Sequence, residues 1–177
     1  MNSKFETLSR ETIFRGKILN LHLDEVRLPN GATATREVVE HGGGVVIIAV
    51  WEGKALMVRQ YRYCVGEALL ELPAGKLEPG EDPAVCAARE LEEETGYRPA
   101  AVKSLGFFYP TPGYLTEKLH FYAAEGLTPS ATNLDPDEFL EVERLSPSDA
   151  LEACRDGRIT DAKTALGLLL YRELIKE

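Results

Sequence analysis

Gly75-Lys-Leu-Glu-Pro-Gly-Glu81-Asp-Pro-Ala-Val-Cys-Ala-Ala-Arg89-Glu90-Leu91-Glu92-Glu93-Glu94-Thr95-Gly96-Tyr97 decides how the rest of the chain is read. A Gly/Pro-rich loop runs into a helix expected over residues 82–95. Pro83 stands in the first turn, where a missing N–H costs nothing, and Gly96 supplies a C-terminal stop. Residues three and four apart on a helix share a face, so Glu90, Glu93 and Glu94 are expected to point the same way. Like charges at that spacing destabilise a helix unless something compensates. A cluster of hard oxygen donors suits Mg²⁺ or Mn²⁺, ions that keep waters and take up phosphates. Glu81 suits the positive end of the helix dipole as well as any metal. Leu91 and the small run Ala84 to Ala88 would form the buried face. The competing reading is a solvated acidic face with Arg89 pairing locally.

Upstream, Leu19, Leu21, Leu23, Val26 and Leu28 alternate with polar residues, and Asn30-Gly31 signals a two-residue hairpin with a return strand near 33–40. Weak strand character over residues 4–16 adds a third strand. The first 40 or so residues therefore read as a small antiparallel sheet, too thin to bury both faces alone. Gly42-Gly43-Gly44 interrupts it. Val45 to Trp51 is then a continuous apolar strand of a central kind, and Glu52-Gly53 turns it into a strand over 54–61. Residues 69–73 form a short strand that delivers the chain to Ala74-Gly75. Downstream come strands at 101–109, 118–125 and 139–144, a helix from Ser146 to about Arg155, and a final helix over 161–176. Ala165, Leu168, Leu169, Tyr171 and Leu174 are expected to face inward on that last helix. Strands, helix, strands, helices make an α+β chain with an α/β/α sandwich. Two parts are expected: residues 1–41 as an N-terminal sheet serving dimerisation or substrate contact, and residues 42–177 as the main domain.

The 177 residues are enough for a substantial core. A net charge of −9 argues against a nucleic-acid backbone as partner. No apolar run approaches the ~18 residues of a membrane span, and the first residues lack the apolar core of a signal peptide, so a cytoplasmic protein is expected. Cys64, Cys86 and Cys154 show no paired metal-ligand spacing and read as idle thiols in a reducing compartment. EF-hand spacing is absent, which argues against calcium storage.

The quoted stretch resembles the Nudix box: Gly, five residues, Glu, seven residues, Arg-Glu-aliphatic, one residue, Glu-Glu, one residue, Gly, aliphatic. It matches at Gly75, Glu81, Arg89, Glu90, Leu91, Glu93, Glu94 and Gly96, and departs at Tyr97, a packing position. The resemblance implies a Nudix fold and Mg²⁺-dependent hydrolysis of a nucleoside diphosphate linked to another group, with Mn²⁺ able to substitute. Glu90, Glu94 and the Ala74 carbonyl would hold metal, and Glu93 would be a ligand or orient water. Arg89 would brace the glutamates, and Gly75 would allow a tight turn. Pro112, in Thr111-Pro-Gly-Tyr-Leu-Thr-Glu117, resembles the proline-bearing loop of the ADP-ribose pyrophosphatase subfamily, as do Arg36-Glu-Val-Val39, Arg59-Gln-Tyr-Arg62 and Leu70-Glu-Leu-Pro-Ala-Gly75. That likeness implies substrate contacts at Arg36, Arg62, Glu71, Pro112 and Glu117, and a homodimer. Phe5 is an aromatic able to stack on a base. Among the acidic late-loop residues Asp135, Asp137 and Glu138, Glu138 is chosen as general base because it directly precedes a strand. The expected reaction splits ADP-ribose to AMP and ribose 5-phosphate. The alternatives are hydrolysis of GDP-mannose or another nucleotide sugar, and a non-catalytic nucleotide sensor.

Overall fold

The computed structural model describes residues 4–136 and 138–174, in two compact units. The first unit runs to Gly43 and takes in Phe108–Lys118; the second comprises Gly44–Phe107 and the chain from Leu119 onward.

In the first unit β1 (Glu6–Arg15), β2 (Leu19–Arg27) and β3 (Thr33–His41) form an antiparallel meander. The hairpin at Asn30-Gly31 is longer than the two residues expected. Arg27 pairs with Thr33, and Leu28 N–H donates to the Ala32 carbonyl at 2.8 Å, enclosing Pro29, Asn30 and Gly31. Gly31 alone of the three takes a positive φ, 86°, so a tight turn with both central residues left-handed does not form. Phe108–Lys118 joins this unit by running beside β3. Val39 N–H donates to the Tyr114 carbonyl at 2.7 Å, and Thr116 N–H donates back to the Val39 carbonyl at 2.9 Å.

The second unit begins with β4 (Gly44–Trp51) and β5 (Lys54–Arg62), joined by a two-residue turn in which both Glu52 and Gly53 have positive φ. Then come β6 (Glu67–Glu71), β7 (Ala74–Lys76), α1 (Pro83–Thr95), β8 (Tyr97–Arg98), β9 (Ala101–Phe108), β10 (Leu119–Glu125), β11 (Thr128–Pro129), β12 (Leu140–Leu145), α2 (Pro147–Arg155) and α3 (Ala162–Leu174). The sheet order is β12-β5-β4-β10-β9, with β6 beside β5 and β7 beside β4; β4 and β10 run parallel. The strand expected at 69–73 begins and ends earlier, as β6, because Leu72 and Pro73 carry the chain from β5's flank to β4's, where β7 is a further strand.

β4 is apolar on both faces because both are covered. Val46 and Ile48 pack with Phe121, Ala150, Ala153 and Leu168, on the side of α2 and α3. Val45, Ile47 and Ala49 pack with Cys86, Ala87 and Leu91 of α1. Helices on both sides of one mixed sheet confirm the expected α/β/α sandwich. Asp82 caps α1, its carboxylate accepting from Ala84 N–H at 2.8 Å, and left-handed Gly96 ends it. On α3 the inward stripe is Thr164, Gly167 and Leu168. Leu169, expected inward, is 42% exposed, because one step of 100° past Leu168 carries it off the stripe. Among the described residues no helix is long and apolar enough to cross a membrane.

Thr164 is fully buried and joins α3 to the sheet: its hydroxyl accepts from Leu72 N–H at 2.8 Å and donates to Asp161 Oδ2 at 2.5 Å. Thr164→Val keeps the shape but strands that amide, and is expected to cost about 2 kcal/mol in urea unfolding. Thr164→Ser, losing only a methyl, should cost about 1 kcal/mol. A Val variant as stable as wild type would show that the hydroxyl contributes nothing.

Candidate active site

β7 pairs with β4 through Gly44↔Lys76, Val45↔Gly75 and Val46↔Ala74, which fixes Ala74 and Gly75 beneath α1. The carboxylate of Glu90 lies against the Gly75 backbone, so a Cβ at residue 75 would collide with Glu90 Cδ and both its oxygens. Gly75 is not in the left-handed region and sits inside a strand. Its glycine is required by close approach, not by the tight turn expected. Ala74 N–H donates to Glu94 Oε2 at 3.1 Å. The backbone of β7 thus receives two helix carboxylates, one by contact and one by hydrogen bond.

Arg89 ties the helix to its loop. Its Nε and Nη2 donate to the two oxygens of Glu81 at 2.9 and 3.1 Å, and Nη1 reaches Glu93 Oε2 at 2.8 Å and Glu90 Oε1 at 2.9 Å. That fork pulls the Glu81 carboxyl down to about 2. The glutamates therefore divide. Glu93 lies beside Arg89, half-exposed, whereas Glu94 is 2% exposed and Glu90 largely covered.

Burial pushes the Glu94 carboxyl well above its ordinary value, and the charges of Glu138 and Glu90 push it further. Burial likewise raises Glu90, to about 6, against the pull of Arg89, while Glu93 and Glu138 add repulsion. Glu90, Glu94 and Glu138 thus act on one another, although Glu138 is some 44 residues from Glu94 in the chain. Glu138 arrives on the approach to β12, whose Leu140 pairs with Gln60 of β5; Gln60 Nε2 lies 3.5 Å from Glu138 Oε1. Asp135 is exposed, and its carbonyl accepts from Glu138 N–H at 2.9 Å. Asp137 lies outside the described residues. Among the described residues no three His, Cys, Asp or Glu side chains already surround a common metal position.

The matching model for the NUDIX domain covers residues 32–165, and that for a nucleoside diphosphate sugar hydrolase N-terminal domain covers residues 5–39. The chain belongs to the Nudix family. It is 44% identical to a methanol dehydrogenase activator of Bacillus methanolicus over 99% of both chains. It is 43% identical to an ADP-ribose pyrophosphatase of Bacillus subtilis over 92% of this chain and 90% of that one. The solved structure of an ADP compounds hydrolase superposes with a TM-score of 0.87 at 24% identity, covering 98% of this chain and 95% of that one, which establishes the shared fold.

In this Nudix hydrolase Tyr97, at the one departure from the box, is used in packing. Its ring lies 5.4 Å from that of Trp51 and under the Arg144 guanidinium, and its hydroxyl accepts from Arg144 at 2.5 Å. Arg62 and Glu71, taken separately above as substrate groups, are bonded to each other: Arg62 Nε and Nη2 donate to the Glu71 oxygens at 2.6 and 2.7 Å. Glu71 is 1% exposed and also paired with Lys163, so both its oxygens are bonded within the protein. Arg36, Pro112 and Glu117 belong to the first unit. Arg36 stacks over the Phe5 ring at 5.3 Å and donates to the Thr35 carbonyl; Glu117 lies 3.5 Å from His41; Pro112 is exposed in its loop. Reading the sequence missed Gln60 and Lys163. The two-residue alternation of a strand, which sets Gln60 and Arg62 on one side of β5, was the available signal for the former. Of the cysteines, Cys64 is exposed and Cys86 is buried, its thiol pushed up to about 12 by burial and by Glu81.

Gly75→Ala is expected to lower kcat/KM at least about 100-fold, because it displaces a site carboxylate, while CD retains the helix signal. Wild-type turnover in that variant would remove Gly75 from the site. Burial pushes the Glu71 carboxyl up, but hydrogen bonds and charge from Arg62 and Lys163 outweigh it, leaving the group below its ordinary 4.5. Its contribution to stability is then complete above pH 4.5 and is lost as pH falls through the folded value. The stability gap between wild type and Glu71→Gln should therefore narrow below pH 4.5; a gap constant with pH would contradict the assignment.

Proposed function

We propose that this Nudix hydrolase cleaves the diphosphate of ADP-ribose, giving AMP and ribose 5-phosphate, with Mg²⁺ or Mn²⁺. The observation that carries the reading is the seat of Glu90 and Glu94 on β7, with the charge of Glu138 acting on both. Three carboxylates with raised or repelling charges, one of them 2% exposed, leave negative charge that a hard divalent cation would balance. Glu90, Glu94 and the Ala74 carbonyl would hold the ion, with Glu93 alongside. When bound, it supplies charge for the diphosphate oxygens and a more acidic water. The 43% identity to an ADP-ribose pyrophosphatase supports the choice of substrate class, as does the N-terminal domain match.

The residues would divide the work. Glu138 takes the proton as water adds to one phosphorus, the new P–O bond replacing the bridging one, so that each product leaves as a phosphate monoester. Glu93, joined to Arg89, is the second choice for orienting that water. Arg62 presents its free donors to a phosphate. Glu71 acts through Arg62 rather than on substrate, because its oxygens are occupied. Arg36 with Phe5 offers a cation–aromatic pair suited to a base or ribose phosphate, and Pro112 and Glu117 shape the loop beside β3. The sheet of β1, β2 and β3 serves dimerisation and substrate contact: β1 leaves Leu8, Ile13 and Phe14 exposed, and a second copy would cover them.

The test is turnover of ADP-ribose, GDP-mannose, UDP-glucose and NADH with Mg²⁺ or Mn²⁺. ADP-ribose is expected to give the highest kcat/KM. Glu94→Gln and Glu138→Gln should each lower kcat by about 10²–10⁴ while nucleotide still binds. Preference for GDP-mannose would move the substrate within the class. Binding without turnover of any compound by the wild type would mark a sensor and end the hydrolase reading.

A further inference from the structure

Ile159-Thr160-Asp161-Ala162-Lys163-Thr164 enters α3; Thr160 is exposed, whereas Asp161, Lys163 and Thr164 turn inward. Asp161 Oδ2 accepts from Thr164 N–H at 2.9 Å and from the Thr164 hydroxyl. The same oxygen lies 3.0 Å from Lys163 Nζ, whose other partner is the buried carboxylate of Glu71. Glu71 in turn holds two donors of Arg62. Two anions and two cations thus alternate in a chain from α3 to the end of β5: Asp161, Lys163, Glu71, Arg62. Burying Glu71 alone would cost several kcal/mol; pairing on both sides offsets this and fixes its orientation.

The far end of this chain lies beside the acidic site. Three residues beyond Glu71, Ala74 N–H holds Glu94, and the Arg62 charge acts on Glu94. Arg62 uses two of its five N–H donors on Glu71, and 39% of its side chain stays exposed. A guanidinium gripped along one edge by an immobile carboxylate presents its other edge in one orientation, which suits the oxygens of a phosphate. Without Lys163, Glu71 would have a single cationic partner and freedom to turn with it.

We propose that Lys163, held by Asp161, is a positioning residue that locks Glu71 and through it aims the free edge of Arg62 at a phosphate of the nucleoside diphosphate substrate. This rests on Arg62 being a phosphate contact, and it gives α3 a part in substrate binding.

The test is a double-mutant cycle on Lys163→Met and Arg62→Met, read as KM and kcat for ADP-ribose and as Kd for AMP by calorimetry. Lys163→Met is expected to raise KM and Kd about tenfold with kcat within about threefold of wild type, and the double variant should be no worse than Arg62→Met alone. Lys163→Arg should recover most of the affinity. Asp161→Asn, which keeps the helix cap, should raise Kd about threefold and serves if Lys163→Met does not fold. Unchanged KM and Kd, or additive losses in the cycle, would overturn the proposal. The AMP cycle reads the coupling even where ADP-ribose is not turned over, so failure of the substrate assignment and failure of the positioning role are told apart.

Discussion

Two carboxylates rest on the backbone of one three-residue strand, and the remainder of the second unit serves that contact. Glu90 occupies the space a side chain at Gly75 would need, and Glu94 accepts the N–H of Ala74. Such an approach demands a helix held rigidly above a strand. The rigidity comes from Leu91, Cys86 and Ala87 packed on β4, and from β7 hydrogen-bonded to the same strand. Apolar burial thus sets the height of α1, and that height decides whether the glutamates meet backbone or water.

The electrostatics follow from the seat. Ionised carboxylates in a poorly solvated setting repel one another and are raised, and the chain answers with cations only part-way. Arg89 neutralises Glu81 and braces Glu93 and Glu90 from the loop side. Among the described residues, Glu94 receives a backbone N–H and the distant charge of Arg62. Under the proposed function, the charge left over is what a divalent cation would balance. Around it, polar chains that would otherwise be costly to bury are closed: Glu71 between Arg62 and Lys163, Thr164 between Leu72 and Asp161. Among the described residues no buried side-chain nitrogen or oxygen lacks a partner.

Tyr97 shows how a departure from a motif is absorbed. An aliphatic residue there would pack; the tyrosine packs against Trp51 and also accepts from Arg144 on β12, joining the end of α1 to the strand that Glu138 leads into. The loop between is tied to the same helix end: Ser130 N–H donates to the Gly96 carbonyl at 2.7 Å and Asn133 N–H to the Glu93 carbonyl at 2.9 Å. The helix carrying Glu90 and Glu94 is therefore also the anchor for the loop bearing Glu138.

What the sequence determined by itself was local. The order of elements, the first-turn Pro83, the stop at Gly96, the continuous apolar strand Val45 to Trp51 and the spacing of the acidic helix were all legible, because each depends on residues within a turn or two. The family followed from that spacing. Contacts between distant residues were not legible. Spacing put Glu90, Glu93 and Glu94 on one face, but only docking on β7 separated buried Glu94 and largely covered Glu90 from the half-exposed Glu93. Arg62 and Glu71 read as two free groups, and only their side chains reaching along the paired strands β5 and β6 brought them together, with Lys163 added from 92 residues away. The turn at Pro29-Asn30-Gly31 and the exposure of Leu169 were settled by pairing and packing with partners elsewhere. Short-range propensity writes the elements into the chain, but whether a charged side chain meets a partner, a backbone or water depends on what the fold sets against it.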